Sequence, residues 1–213
     1  MTTIVPKSPS GDWLNKFLSQ DLLNAKAYSI ADASTCSVKL DQNESPFDWP
    51  PKLKNKILEQ MLEEKWNRYP EPYPQQLTKK VAEYAGVHHS NILLCGGSNY
   101  HISIIISMLS QKIRGDLVVA RPSFPLYEAH CRYSAIKYKT WDLSEDLEYD
   151  IGALADLRPG SIVIFASPNN PTGSSLSKSD LEKLLQMHPQ AYFIADEAYY
   201  EFCDQSYTSL LTK

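Results

Sequence analysis

The sequence predicts an α/β protein: three layers, αβα, around a mostly parallel sheet, preceded by an N-terminal arm. From Pro50 onward, short apolar runs alternate with segments whose apolar residues recur at helical spacing. Some of the short runs, Ile162–Ala166 above all, are apolar at every position, as a strand covered on both faces must be. Between the segments stand clusters of Gly, Pro, Asn and Ser, which supply turns.

Residues 1–45 are weakly patterned and are expected to form an N-terminal arm or part of a small domain, with 46–213 forming a larger domain. Pro50-Pro51 opens a helix carrying Leu53, Ile57, Leu58, Met61 and Leu62, because proline suits a first turn. The stretch 67–74, Asn-Arg-Tyr-Pro-Glu-Pro-Tyr-Pro, holds three prolines. Each removes a backbone donor and fixes φ, so an extended surface segment is expected there. Leu77, Val81 and Ala85 mark one face of a second helix, stopped by Gly86. Residues 91–95 read as a short strand, and Ser98 opens a helix with Ile102, Ile105, Ile106 and Leu109 inward. Further strands are expected at 116–120, 136–141, 162–166 and 191–195. Between them, 126–133 reads as a short helix and Asp150 caps a helix that ends near Arg158. Ser177 with Asp180 forms a capping pair for a helix carrying Leu181, Leu184 and Leu185.

The composition, 43% hydrophobic and 22% charged, is that of an ordinary globular chain. A net charge of -4 with scattered Lys and Arg gives no footprint of a nucleic-acid partner. Cys36, Cys95, Cys131 and Cys203 share no metal-ligand spacing with one another or with the five His, so reduced thiols and no metal site are expected. The N-terminus lacks an apolar signal-like core and no run reaches membrane-spanning length, so no membrane is expected and the cytoplasm is the expected compartment.

In an open parallel sheet, ligands sit beyond the carboxyl ends of the strands. Four segments fall there and are expected to open onto one crevice: 96–99, 121–124, 167–173 and 196–199. Gly96-Gly97-Ser98-Asn99 ahead of a helix offers amides, a hydroxyl and a positive helix end, which suit a phosphate or serve as a structural cap. Phe124 offers a flat apolar face for a ring, or a core contact. Asp196 ends a buried strand, where a carboxylate requires a cation such as a pyridinium nitrogen, or backbone donors. Asn170 either donates to a phenolate-type oxygen or fills a turn before Pro171.

Taken together, Asn43-Glu44-Ser45-Pro46, Asn67-Arg68-Tyr69-Pro70-Glu71-Pro72, Ser167-Pro168-Asn169-Asn170-Pro171-Thr172-Gly173 and Asp196-Glu197-Ala198-Tyr199 resemble, in this order, the fold-type I aminotransferases that use pyridoxal 5'-phosphate (PLP). The Asn-Arg-Tyr-Pro-Glu-Pro string points toward their histidinol-phosphate branch. The likeness covers roughly residues 40–205. It implies a PLP-binding large domain over 46–213 and amino transfer between histidinol phosphate and 2-oxoglutarate, in histidine biosynthesis. It also implies site roles. Ser98 and Asn99 lie where the family binds the cofactor phosphate, and Phe124 where an aromatic stacks on the pyridine ring. Asn170 and Tyr199 match residues that hydrogen-bond the ring's phenolic oxygen, and Asp196 the acid facing the ring nitrogen. Tyr69 matches a tyrosine that reaches the cofactor phosphate of a neighbouring subunit, implying a homodimer, and Asn43 falls near the substrate.

The family's cofactor-anchoring lysine sits in a Ser-x-x-Lys-type segment well beyond the Asp-Glu-Ala-Tyr motif. Lys213, after Ser209-Leu210-Leu211-Thr212, does not match that segment. The large domain is therefore expected to be incomplete at its C-terminal end and these residues alone to be inactive. A threonine-phosphate decarboxylase-like or aromatic aminotransferase relative shares the same loops, and a non-catalytic remnant of the PLP fold is the alternative from outside the enzymes.

Overall fold

The computed structural model describes residues 14–18, 20–24, 37–109 and 113–211. Cys36 and Lys213, both singled out above, lie outside these residues. Two compact units are distinguished, one of residues 26–75 and one joining 1–25 to 76–213.

The larger unit is organised on four parallel strands: β1 (Leu117–Arg121), β2 (Lys139–Asp142), β3 (Ile162–Ala166) and β4 (Tyr192–Asp196). Their spatial order is β2-β1-β3-β4. The register sets Val118 against Lys139, Val119 against Ile164, and Ala166 against Asp196. Side chains alternate across a strand, so each central strand feeds two cores. Val118, Ala120, Val163 and Phe165 join Trp141, Leu154, Leu176, Leu181, Leu184 and Tyr207 on one face. Leu117, Val119, Ile162, Ile164 and Ala166 join Ile102, Ile106, Tyr127 and Cys131 on the other. Burial on both faces is the physical reason why β3 is apolar at all five positions.

The helices of this unit are α1 (Leu14–Phe17), α2 (Gln20–Leu23), α4 (Gln75–Ala85), α5 (Ser98–Leu109), α6 (Pro125–Tyr133) and α7 (Lys178–Met187); α3 (Pro51–Glu63) belongs to the smaller unit. Ile102 and Ile106 of α5 and Tyr127 and Cys131 of α6 cover one face of the sheet, and Leu181 and Leu184 of α7 the other. These are the three layers expected. Ser177 caps α7 by accepting from the Asp180 amide, and its hydroxyl also bonds the Asp180 carboxylate. The thiols of Cys95, Cys131 and Cys203 are free.

Three expectations are corrected. Residues 91–95 are not a strand: His89–Asn91 forms a 3-10 turn, and Ile92 after it is extended (φ -107, ψ 126) but joins no strand ladder among the described residues. An apolar run becomes a strand only where a neighbouring ladder accepts it. The strand expected from 136 starts at Lys139, because the β1 ladder it joins begins at Val118 opposite that residue. Ile136 and Tyr138 instead pack on the α5–α6 side. The helix after Asp150 is only a 3-10 turn, Ile151–Leu154, with Asp150 accepting from the Gly152 amide at 2.8 Å. Only Leu154 of that turn is buried, so little packing is available to extend it.

In the smaller unit α3 starts on Pro51 as expected, with no buried residue. The Trp66 indole donates to the Met61 carbonyl at its end (2.7 Å). Residues 67–74 form neither helix nor strand, and Tyr69 is fully exposed. Among the described residues no helix is long and apolar enough to cross a membrane.

Candidate functional site

A small, partly open cavity lies beyond the carboxyl ends of β3 and β4, lined by Ser98, Phe124, Tyr127, Ala166, Asn170, Asp196, Ala198 and Tyr199. Five of the eight, Ser98, Phe124, Asn170, Asp196 and Tyr199, are residues the sequence singles out.

Asp196 closes β4, one ladder step from Ala166 at the end of β3. Its Oδ2 accepts a hydrogen bond from the Tyr127 hydroxyl (2.7 Å) and its Oδ1 one from the Ala198 amide (3.1 Å). Burial, followed by the charge of Asp196, pushes the Tyr127 phenol far above the ordinary tyrosine range, so it stays protonated and donates. Glu197, next in the chain, turns away from the cavity: its carboxylate accepts from the Ser206 hydroxyl (2.7 Å) and the Tyr207 amide (2.5 Å). The two adjacent acids thus divide their work, one lining the cavity and one holding the following loop.

A similar division separates the adjacent asparagines. Asn169 is buried, donates to the Pro122 carbonyl (2.9 Å) and Thr172 Oγ1 (2.8 Å), and accepts from Ser123 (2.7 Å). It welds the loop after β1 to the loop after β3. Asn170, its backbone carried on that weld, lines the cavity. Phe124 stands just ahead of α6, and its ring meets Tyr127 edge-on at 5.6 Å, so the two rings form one aromatic wall.

Ser98 is the first residue of α5. Gly97 ahead of it takes φ +90, a conformation open to glycine and strained for other residues. The first bonds back into the helix are those of Tyr100 and His101 to the Gly97 carbonyl, so the Ser98 and Asn99 amides lead the helix end. Asn99 does not line the cavity; its side chain pairs with His130 Nε2 (2.8 Å). Any contact of Asn99 with a ligand would then be through its backbone. Tyr69 and Asn43 belong to the smaller unit, where Tyr69 is exposed and Asn43 adopts φ +52.

Sequence reasoning missed Tyr127, Ala166 and Ala198. Tyr127 had a usable signal: it follows Phe124 by three residues at a helix start, hence on the same face. The two alanines carry no chemical signal.

A parallel sheet layered between helices, with an acid, an amide, hydroxyls and an aromatic wall converging past its strand ends, defines an α/β protein with a polar, aromatic-walled cavity at the place where open parallel sheets bind ligands. The chain belongs to the aminotransferase class I and II family, whose sequence profile matches residues 36–212. It is 34% identical over 194 residues to a histidinol-phosphate aminotransferase of Chlorobium phaeovibrioides, covering 89% of this chain and 53% of that protein. It is 34% identical over 189 residues to one from Pyrococcus furiosus, covering 88% and 54%. The crystal structure of a protein described as a putative histidinol-phosphate aminotransferase, from Erwinia carotovora atroseptica, superposes with a TM-score of 0.70 at 26% identity, covering 80% of this chain and 51% of that one. The chain thus spans about half the length of the relatives it matches.

Proposed function

We propose that these residues form the cofactor cradle of a cytoplasmic, PLP-dependent aminotransferase that moves an amino group between histidinol phosphate and 2-oxoglutarate in histidine biosynthesis. The observation that carries the reading is the convergence of Ser98, Phe124, Asn170, Asp196 and Tyr199 on one cavity. Family membership and the names of the relatives support the reaction class.

The donor set fits PLP. Asp196 presents a carboxylate, already oriented by two donors, to a cationic ring nitrogen. Phe124 supplies the face against which a ring lies. The Asn170 amide and the Tyr199 hydroxyl suit a phenolic oxygen, and Ser98 with the leading amides of α5 suits a phosphate. Bound PLP supplies an electron sink for the carbanion left when a substrate C–H bond breaks. The chain's own share is to orient the ring and to keep its nitrogen protonated through Asp196. In the same reading Tyr69 reaches the cofactor phosphate of a second copy in a homodimer, and Asn43 lies near the substrate. No lysine is among the residues that line the cavity, so in this reading these residues hold PLP there by non-covalent contacts.

The test is titration of the chain with PLP, followed by protein fluorescence. Saturable binding is expected, weakened at least about tenfold in Asp196→Asn because the ring nitrogen loses its counter-charge. Equal affinity in the variant, or no binding at all, overturns the reading. A pyridoxyl adduct confined to one lysine, formed at stoichiometric PLP and surviving dialysis before borohydride reduction, overturns the statement about the lysine.

A further inference from the structure

Asp196 does not stand alone in the cavity wall. Tyr127, fully buried on α6, lines the same cavity, and its hydroxyl meets Asp196 Oδ2 at 2.7 Å from the neighbouring structural layer. We propose that Tyr127 is a positioning residue that fixes the Asp196 carboxylate in the orientation its ligand requires; this rests on the reading of the cavity as a PLP cradle.

Three observations support it. A buried phenol needs an acceptor, and the acceptor here is a carboxylate, so the bond is charge-assisted and directional. The second oxygen is held by the Ala198 amide, so rotation of the carboxylate breaks at least one of two bonds. The phenol also keeps its proton: burial and the Asp196 charge raise it, and the other groups acting on it, Tyr149 and Tyr199, are phenols that push the same way. Tyr127 is thus a permanent donor. The ring of Tyr127 is anchored in the core by Phe124 and the α5–α6 packing, so a rigid element sets the angle of the acid.

The probe is 4'-deoxypyridoxine 5'-phosphate, which lacks the aldehyde and so binds without any lysine. Its ring nitrogen is titrated by absorbance when bound. Tyr127→Phe keeps the ring and removes the donor. The expected result is a thermal transition close to that of the wild type, affinity about tenfold weaker, and deprotonation of the bound ring nitrogen at a pH lower by about one unit, in line with the loss of one hydrogen bond to a charged group. In an Asp196→Asn background the same substitution should have no further effect, since Tyr127 acts through that acid. Affinity within about twofold of wild type with an unmoved titration overturns the proposal, as does a loss that persists undiminished in the Asp196→Asn background. If Tyr127→Phe does not fold, 4-fluorophenylalanine at position 127 fills the hydroxyl's space without donating and takes its place; a chain that folds with neither assigns Tyr127 to folding alone and overturns the proposal. Failure of the wild-type chain to bind the probe is a different outcome, and sinks the cradle reading together with this one.

Discussion

Asp116, just ahead of β1, receives Arg158 through both carboxylate oxygens (3.0 and 2.5 Å) and Lys139 at 2.9 Å. Lys139 begins β2 and Arg158 precedes β3, so one carboxylate ties three neighbouring strands at the end opposite the cavity. The Arg158 bond first, then that of Lys139, lowers its pKa from an ordinary 3.8 to about 2. At 1.36 kcal/mol per pH unit the difference is worth at most about 2.5 kcal/mol. The carboxylate is 11% exposed, but Lys139 and Arg158 are 64% and 60% exposed. Solvent screening of the partners therefore brings the expected value to about 1 kcal/mol. The folded-state pKa is depressed, so this stability is fully present above pH 3.8 and is lost as pH falls through about 2. Asp116→Asn should then be about 1 kcal/mol less stable than wild type in urea unfolding at pH 7, followed by circular dichroism, with the gap narrowing below pH 4. A gap that stays constant from pH 7 to 2.5, or no gap at pH 7, refutes the argument.

Gly115→Ala should destabilise the chain by about 2–3 kcal/mol, since overpacking against rigid backbone is costly. The added Cβ would fall 2.3 Å from the Ser161 amide nitrogen and 2.5 Å from its hydroxyl, the group that accepts from the Asp116 amide; an unchanged melting temperature would contradict this. Tyr207→Phe should cost about 1–2 kcal/mol by denaturant unfolding, because the buried hydroxyl bonds Ser167 Oγ and the Leu176 carbonyl beneath the loop after β3. Gln205 also donates to that carbonyl and limits the loss, so a variant as stable as wild type would mean that Gln205 suffices.

Where one local signal decided the outcome, the sequence was legible. The uninterrupted apolar run of β3 fell on the residues expected, because double-sided burial leaves no room for a polar side chain. Ser177 with Asp180 marked the start of α7, because a cap is a contact within three residues. Residues 91–95 carried the same apolar signal but no available ladder, and pairing is a property of the whole sheet rather than of the segment. In the site, residues with unusual chemistry for their position, Asp196 at a strand end and Asn170 between turn residues, were visible. For Tyr127 the spacing from Phe124 gave the face but not the role, because an aromatic on a helix face looks the same whether it fills a core or steers an acid. Asn99 drew attention as a polar residue at a helix start, and its pairing with His130 depends on how α6 packs against α5, which no local pattern encodes.

The flank position of β4 bears on how firmly the cavity is held. Among the described residues β3 is bonded on both sides, by β1 and β4, whereas β4 is bonded on one. Amide protons of Val163 and Phe165 should thus exchange with solvent more slowly than those at the far edge of β4, the strand that carries the acid. The cavity then combines a slowly opening floor at Ala166 with a faster-breathing rim at Asp196, and the hydroxyl of Tyr127 is the stitch that couples the rim to the helical layer behind it.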